Sequence, residues 1–225
     1  MRALIFAAGK GERMRPLTLH TPKPLLQVGG KPLIVWHIEK LAAVGVSDIV
    51  INTAWLAPRF PEVLGDGSRW GARLHFSYEG DEPLETGGGM LHALPLLGDA
   101  PFIAVNGDIW TDYDFALLPN TPRGRVHVVM IAMPAFREPG DFERLVSPLL
   151  PNHDGALFTF SGIALYRPEF IAHRSPGRFS LLPELIECAH RGLLSAERLH
   201  GAWHDVGTPE RLVQLDTHLS GRDSG

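Results

Sequence analysis

The chain has 225 residues, 44% of them hydrophobic, and a formal net charge of −4 without any Lys/Arg-rich run, which excludes the basic footprint of a nucleic-acid or membrane-surface protein. Its single cysteine, Cys188, excludes an intramolecular disulfide and fits a reducing compartment. The chain enters an apolar segment without a basic leader, and no stretch approaches the ~18 consecutive apolar residues of a membrane span, so a soluble cytoplasmic protein is expected.

In chain order, residues 3–7 predict a strand, 32–44 a helix opened by Pro32, 48–52 a buried strand, 58–64 a short helix and 73–78 a strand. A helix over 87–96 and a strand over 102–105 follow. This alternation predicts an α/β fold: a doubly wound, mostly parallel mixed sheet in three αβα layers, with ligands at the carboxyl ends of its strands. Further on, 126–132, 145–150 and 156–166 read as strands, and 168–172 and 181–191 as helices. A last strand over 198–206 leads into a terminal helix over 209–219, and 220–225 reads as a frayed tail. With no repeat or linker, one domain over 1–225 is expected.

Three features carry chemistry. The first is the loop after the first strand, from Ala8 through Pro24. Gly9 and Gly11 let the backbone turn and bring its N–H groups to phosphate oxygens, and Arg13 offers a fixed fork of donors to the same anion. Lys23, between two prolines, adds a compact positive charge, and Pro24 biases it toward an extended backbone. The second is a pair of remote aspartates. Asp108 follows a strand directly in Asn106-Gly107-Asp108, and Asp205 precedes a helix opened by Thr208 and Pro209. Mg²⁺ takes oxygen ligands and usually one or two protein carboxylates; Asp108 alone reads better as a helix-cap or turn residue, and the second aspartate is what turns the reading toward metal. The third is the segment 79–89, whose Gly87, Gly88 and Gly89 open a helix at a cost of roughly 0.8–1 kcal/mol each relative to alanine. Close approach of a flat ligand to that backbone is the expected reason.

In this order, Gly-x-Gly-x-Arg with Pro-Lys-Pro, the 84–89 segment, Asn106-Gly107-Asp108 and Asp205-Val206-Gly207-Thr208-Pro209 resemble the sugar-1-phosphate nucleotidyltransferases over nearly the whole chain. Segments 64–68, 110–115 and 159–163 add a likeness to the short uridylyltransferases of cell-wall sugar recycling. The resemblance implies a Rossmann-like nucleotidyltransferase fold, monomeric, with a nucleotide-binding part near 1–115 and a sugar-binding part near 116–225. It implies that Ala8, Gly9, Gly11, Glu12 and Arg13 hold a nucleoside triphosphate, with Lys23 at the phosphates. Gly88 would present its backbone to the base and Glu79 would face the base's edge. Asp108 and Asp205 would hold Mg²⁺, and Asn106, Asp141 and Gly162 would face the sugar phosphate. The implied substrates are UTP and N-acetylmuramic acid α-1-phosphate. The Glu-Lys-Pro segment by which many relatives grip the sugar phosphate is not recognisable between 133 and 161; Arg137 or Arg144 are candidates for the sugar's carboxylate.

Alternatives stay open on the residues. Glu79 facing a base could accept from two guanine donors but only one uracil N–H, which favours GTP with mannose-1-phosphate. Asp112-Tyr113-Asp114 has the spacing by which many glycosyltransferases bind metal. A non-catalytic nucleotide-sugar sensor is the remaining reading.

Overall fold

A computed structural model describes residues 1–134, 138–150 and 156–221. β1 (Arg2–Phe6) alternates its side chains as a two-faced central strand must: Ala3 and Ile5 enter one core and Leu4 the other. A 26-residue excursion follows, containing β2 (Gln27–Val28) and β3 (Lys31–Pro32), before α1 (Leu33–Ala43). β4 (Asp48–Thr53), α2 (Arg59–Leu64), β5 (Arg73–Tyr78), α3 (Glu85–Leu97) and β6 (Phe102–Asn106) complete the predicted alternation. β7 (Ile109–Thr111), β8 (Val126–Ala132), α4 (Asp141–Val146), β9 (Phe158–Tyr166) and α5 (Leu182–His190) come next. The described chain closes with β10 (Leu194–Arg198), β11 (Trp203–Asp205) and α6 (Pro209–Ser220).

Seven strands form one sheet in the order β10-β8-β9-β6-β1-β4-β5. Only β9 runs antiparallel to its neighbours, β6 and β8, so the sheet is mixed and mostly parallel. One face packs α1 and α2 through Ile34, Ile38, Leu41, Phe60 and Leu64. The other packs α3, α4 and α5 through Met90, Ala93, Phe142, Val146 and Leu185, with Cys188 buried among them. Burial raises the Cys188 thiol's pKa, the signature of a packing residue rather than a nucleophile. From β1 the chain winds outward to β4 and β5, then returns to β6 on β1's other side. The reversal opens a crevice at the carboxyl ends of β1 and β6. No helix among the described residues is long and apolar enough to cross a membrane.

Three predicted elements are corrected. Residues 145–150 are not a strand: α4 runs through Val146 and a 3-10 turn covers Ser147–Leu149. Gly140 N–H donates to Glu143 Oε2 at 3.0 Å, a cap that starts a helix five residues before the apolar pair Leu145-Val146. Residues 168–172 hold only a 3-10 turn, Pro168–Phe170. The single strand at 198–206 is two, β10 and β11, because Gly201 at φ 134 turns the chain between sheets. Lys23 likewise opens a 3-10 turn, Lys23–Leu25, closed by Leu25 N–H on Pro22 O at 2.8 Å, instead of extending. The expected tail beyond 221 lies outside the described residues.

Candidate active site

The crevice is a cleft of about 740 Å³. Ala8, Gly9, Gly11, Glu12 and Arg13 line it from the loop after β1. Lys23, Asn106 and Asp108 line it with them. Gly11 sits at φ 62, and a Cβ there would lie 2.9 Å from Thr18 Cγ2, so only glycine lets the loop fold back on itself. Thr18 Oγ1 and Met14 N–H donate to Gly11 O and fix that fold. Lys23 is drawn beneath the loop, its side chain 8% exposed, with Nζ 2.8 Å from Asp108 Oδ2. The carboxylate fixes the position of the ammonium group, so a ligand anion arriving there meets a placed donor.

Asp108 is held from below. His37 of α1 is fully buried and its Nε2 donates to Ile109 O at 2.8 Å. Lys40 Nζ donates to Thr111 O at 2.6 Å. β7 pairs with β11 so that Ile109 faces Asp205, and Val206 N–H donates to Asp108 O at 3.0 Å. Asp205, at the end of β11, is thereby brought beside the start of β7, which Asp108 directly precedes. Asp205 Oδ2 accepts from Arg211 Nη1 at 2.7 Å and lines a second pocket of about 580 Å³, while Gly207 lines the cleft itself. No group of three or more His, Cys, Asp or Glu forms a metal cage among the described residues. Asp108 lines the cleft and Asp205 the second pocket, and each has a second oxygen beyond the one its cation holds. Carboxylate oxygens are the donors that Mg²⁺ takes, one or two at a time, with its remaining positions left to phosphate and water.

The structure does not bring Glu79 and Gly88 into the cleft. Glu79 Oε1 accepts from Asn52 Nδ2 at 2.6 Å and its Oε2 from Leu84 N–H at 2.7 Å. Burial raises its carboxyl above the ordinary range against those two hydrogen bonds. Asn52 Oδ1 in turn accepts from Ala7 N–H at 2.7 Å, so the trio ties the phosphate-type loop to the 79–84 segment. The close approach that explains the glycines is to the protein's own chain: a Cβ on Gly88 would lie 2.2 Å from Gly177 O, and one on Gly87 2.4 Å from Phe179. Gly162 packs on Asn106, its Cβ position 2.8 Å from Asn106 Nδ2. Asp141 is exposed in the first turn of α4 and lines neither pocket. Arg144, on the same helix, is exposed and lines neither, and Arg137 lies outside the described residues. The Asp-x-Asp pair is structural: Asp112 Oδ1 accepts from Ala202 N–H at 2.8 Å and Asp114 Oδ1 from Ala116 N–H at 2.9 Å.

Sequence reasoning missed Lys10, Asn52, Glu82, Glu85 and Arg178, all of which line the cleft. Asn52 had a signal, since it closes the predicted strand 48–52, which lies next to β1. Arg178 had none; it arrives from a loop before α5, where Leu181 N–H donates to Thr86 Oγ1 and Phe179 O accepts from Gly87 and Gly88 N–H.

Comparison with known proteins bears on the family and on the fold. A family model described as nucleotidyl transferase matches residues 2–132. The chain is 44% identical over 222 residues to the N-acetylmuramate alpha-1-phosphate uridylyltransferase of Neisseria meningitidis serogroup B, covering 95% of this chain and 96% of that one. It is 33% identical to the mannose-1-phosphate guanyltransferase of Aspergillus fumigatus, covering 93% of this chain but only 62% of that protein. Among solved structures, a Bacillus anthracis protein assigned as a glucose-1-phosphate thymidylyltransferase superposes with a TM-score of 0.80 at 20% identity, covering 98% of this chain and 96% of that one. HddC from Yersinia pseudotuberculosis, complexed with GMP-PN, superposes with a TM-score of 0.73 at 20% identity, covering 96% of this chain and 98% of that one.

Proposed function

The chain belongs to the nucleotidyl transferase family, and from that premise we propose that it joins UTP to N-acetylmuramic acid α-1-phosphate, giving UDP-N-acetylmuramic acid and pyrophosphate in the recycling of cell-wall sugars. The observation that carries this reading is the Lys23–Asp108 pair beneath the glycine loop, with Asp205 on the strand beside it.

A phosphate oxygen of the sugar attacks the α-phosphorus of UTP in line. The new P–O bond forms as the bond to the bridging oxygen breaks, and pyrophosphate leaves with that electron pair. A phosphate monoester has its second pKa near ~6, so the nucleophile is ionised at neutral pH and no general base is required. The barrier is repulsion between two polyanions, and positioned cations lower it. The loop amides at Gly9 and Gly11 and the Arg13 guanidinium hold the triphosphate. Lys23, fixed by Asp108, meets the charge that develops around the reacting phosphorus. Mg²⁺, held by Asp108 and Asp205, supplies further positive charge when bound. The sugar phosphate lies in the second pocket, which adjoins Asp205 and where Arg198 offers a cation to an acidic sugar.

Uridine is favoured over guanine by the likeness to the uridylyltransferase over nearly the whole chain, and Glu79 does not oppose it. Both of its oxygens serve Asn52 and Leu84, which removes the donor-count argument for GTP. The test is a panel of four nucleoside triphosphates against several sugar-1-phosphates, reading released pyrophosphate. Lys23→Ala and Asp108→Ala, folded by circular dichroism, are expected to lose at least ~100-fold in kcat. Near-normal rates in both, or turnover with GTP and mannose-1-phosphate alone, would overturn the proposal.

A further inference from the structure

Glu85 is out of place twice over. It holds φ 62, a left-handed conformation that glycine adopts freely and an L side chain does not, and only Leu56 shares this among the described non-glycine residues. Its carboxylate also lines a cleft otherwise suited to a polyanion. A residue kept against its backbone preference, beside a ligand it should repel, needs a ligand group that donates hydrogen bonds.

From this we propose that Glu85 accepts from the ribose hydroxyls of the bound nucleotide and that Arg178 is the positioning residue that aims its carboxylate. The proposal rests on reading the cleft as a nucleoside triphosphate site. In the part of the cleft built from 82–86 and 178, cations and carboxylates are matched. Arg178 Nε lies 3.2 Å from Glu85 Oε1, and Lys10 Nζ lies 2.7 Å from Glu82 Oε2. A balanced surface of this kind suits the uncharged nucleoside, whereas Arg13 and Lys23 suit the phosphates. A nucleoside offers donors at the ribose diol and at the base. Uracil flanks its one ring N–H with two carbonyl oxygens, which a full carboxylate repels; the diol has no such flank. Arg178 holds Oε1 and leaves Oε2 to receive a hydroxyl. A carboxylate on ribose hydroxyls is a recurrent solution wherever a protein must recognise a nucleotide's sugar.

The experiment measures equilibrium binding of UTP and dUTP, with Mg²⁺, to the wild type and to Glu85→Gly, Arg178→Ala and Arg178→Lys. The wild type is expected to prefer UTP by at least about tenfold, since a site built for a hydroxyl rejects the analogue without it. Glu85→Gly, whose backbone fits φ 62 at no strain, should melt no lower than the wild type yet bring the ratio to within about twofold. Arg178→Ala should narrow the ratio, and Arg178→Lys should restore part of it. A wild type indifferent to the 2′-hydroxyl, or a Glu85→Gly that keeps the full ratio, overturns the proposal. Nucleotide binding without pyrophosphate release would instead sink the proposed reaction and leave this reading of Glu85 standing.

Discussion

The imidazole of His37 carries no chemistry, yet the cleft depends on it. Burial pushes its pKa down from 6.5 to about 4, against the hydrogen bond to Ile109 O and the charge of Asp108 and with the help of Lys40. The neutral ring donates to the strand that begins one residue after Asp108. The unfolded chain takes up the imidazole proton near pH 6.5, the folded chain only near pH 4, so acid favours the unfolded chain. The contribution is complete above about pH 6.5 and is lost as the pH falls toward 4, with a ceiling of roughly 3 kcal/mol. Urea midpoints at pH 7 and pH 5 should therefore fall more for the wild type than for His37→Gln, whose amide can still donate to Ile109 O, by roughly 2 kcal/mol. Equal losses in the two proteins would show that another group governs acid sensitivity. In the sequence His37 is one of eleven histidines on a helical face, and nothing distinguishes it. Lys23 and Asp108 were legible because glycine, proline and a strand end punctuate them. His37 was not, because its role is a contact across 72 residues.

At the scale of elements, the start of α3 shows both what sequence reveals and where it misleads. Three consecutive glycines announce that something approaches this backbone, and the inference of close approach is sound. What approaches is the loop of residues 177–179: Gly88 would place a Cβ 2.2 Å from Gly177 O and 2.8 Å from Leu84 Cβ. Neither neighbour is the free end of a flexible side chain. Gly88→Ala is expected to cost about 1–3 kcal/mol by overpacking and to expose the 177–181 amides to hydrogen exchange. Gly9→Ala, with nothing within 4 Å of its Cβ position, should leave the melting temperature unchanged. If both variants melt like the wild type, the 177–179 loop does not rest on α3 in solution. The same limit explains α4. Leu145 and Val146 form a short apolar run before Pro148, and such a run fits a strand as well as a helix end; the capping contact at Gly140 decides it, and it is not an apolar signal.

Over the whole molecule, the order of strands follows from alternating patterns, but the joining of the chain's two ends does not. A third core holds Met14, Val28, Leu33 and Trp110 from the first half against Val206, Leu215 and Leu219 from the last turn and helix. Gly29 N–H adds a bond to Asp216 Oδ1 at 2.8 Å across 187 residues. α6 thus clamps the loop that carries Lys23 to the strand that carries Asp205, and the proposed metal site depends on that clamp. The sequence displays α6 as a capped amphipathic helix without naming its partner, because β2 and β3 are too short to read as strands. Leu215 is fully buried, so Leu215→Ala should destabilise the protein by about 2–5 kcal/mol. Because Val206 shares that core and hydrogen-bonds Asp108 O, the variant should also need several-fold more Mg²⁺ for half-maximal pyrophosphate release, even at a temperature where it stays folded. Val213→Ala, on the same helix but 64% exposed, should change neither quantity. A Leu215→Ala protein with lowered stability and an unchanged Mg²⁺ requirement would mean that α6 supports the fold alone, and that Asp205 keeps its place by the pairing of β7 with β11 without help from the chain's end.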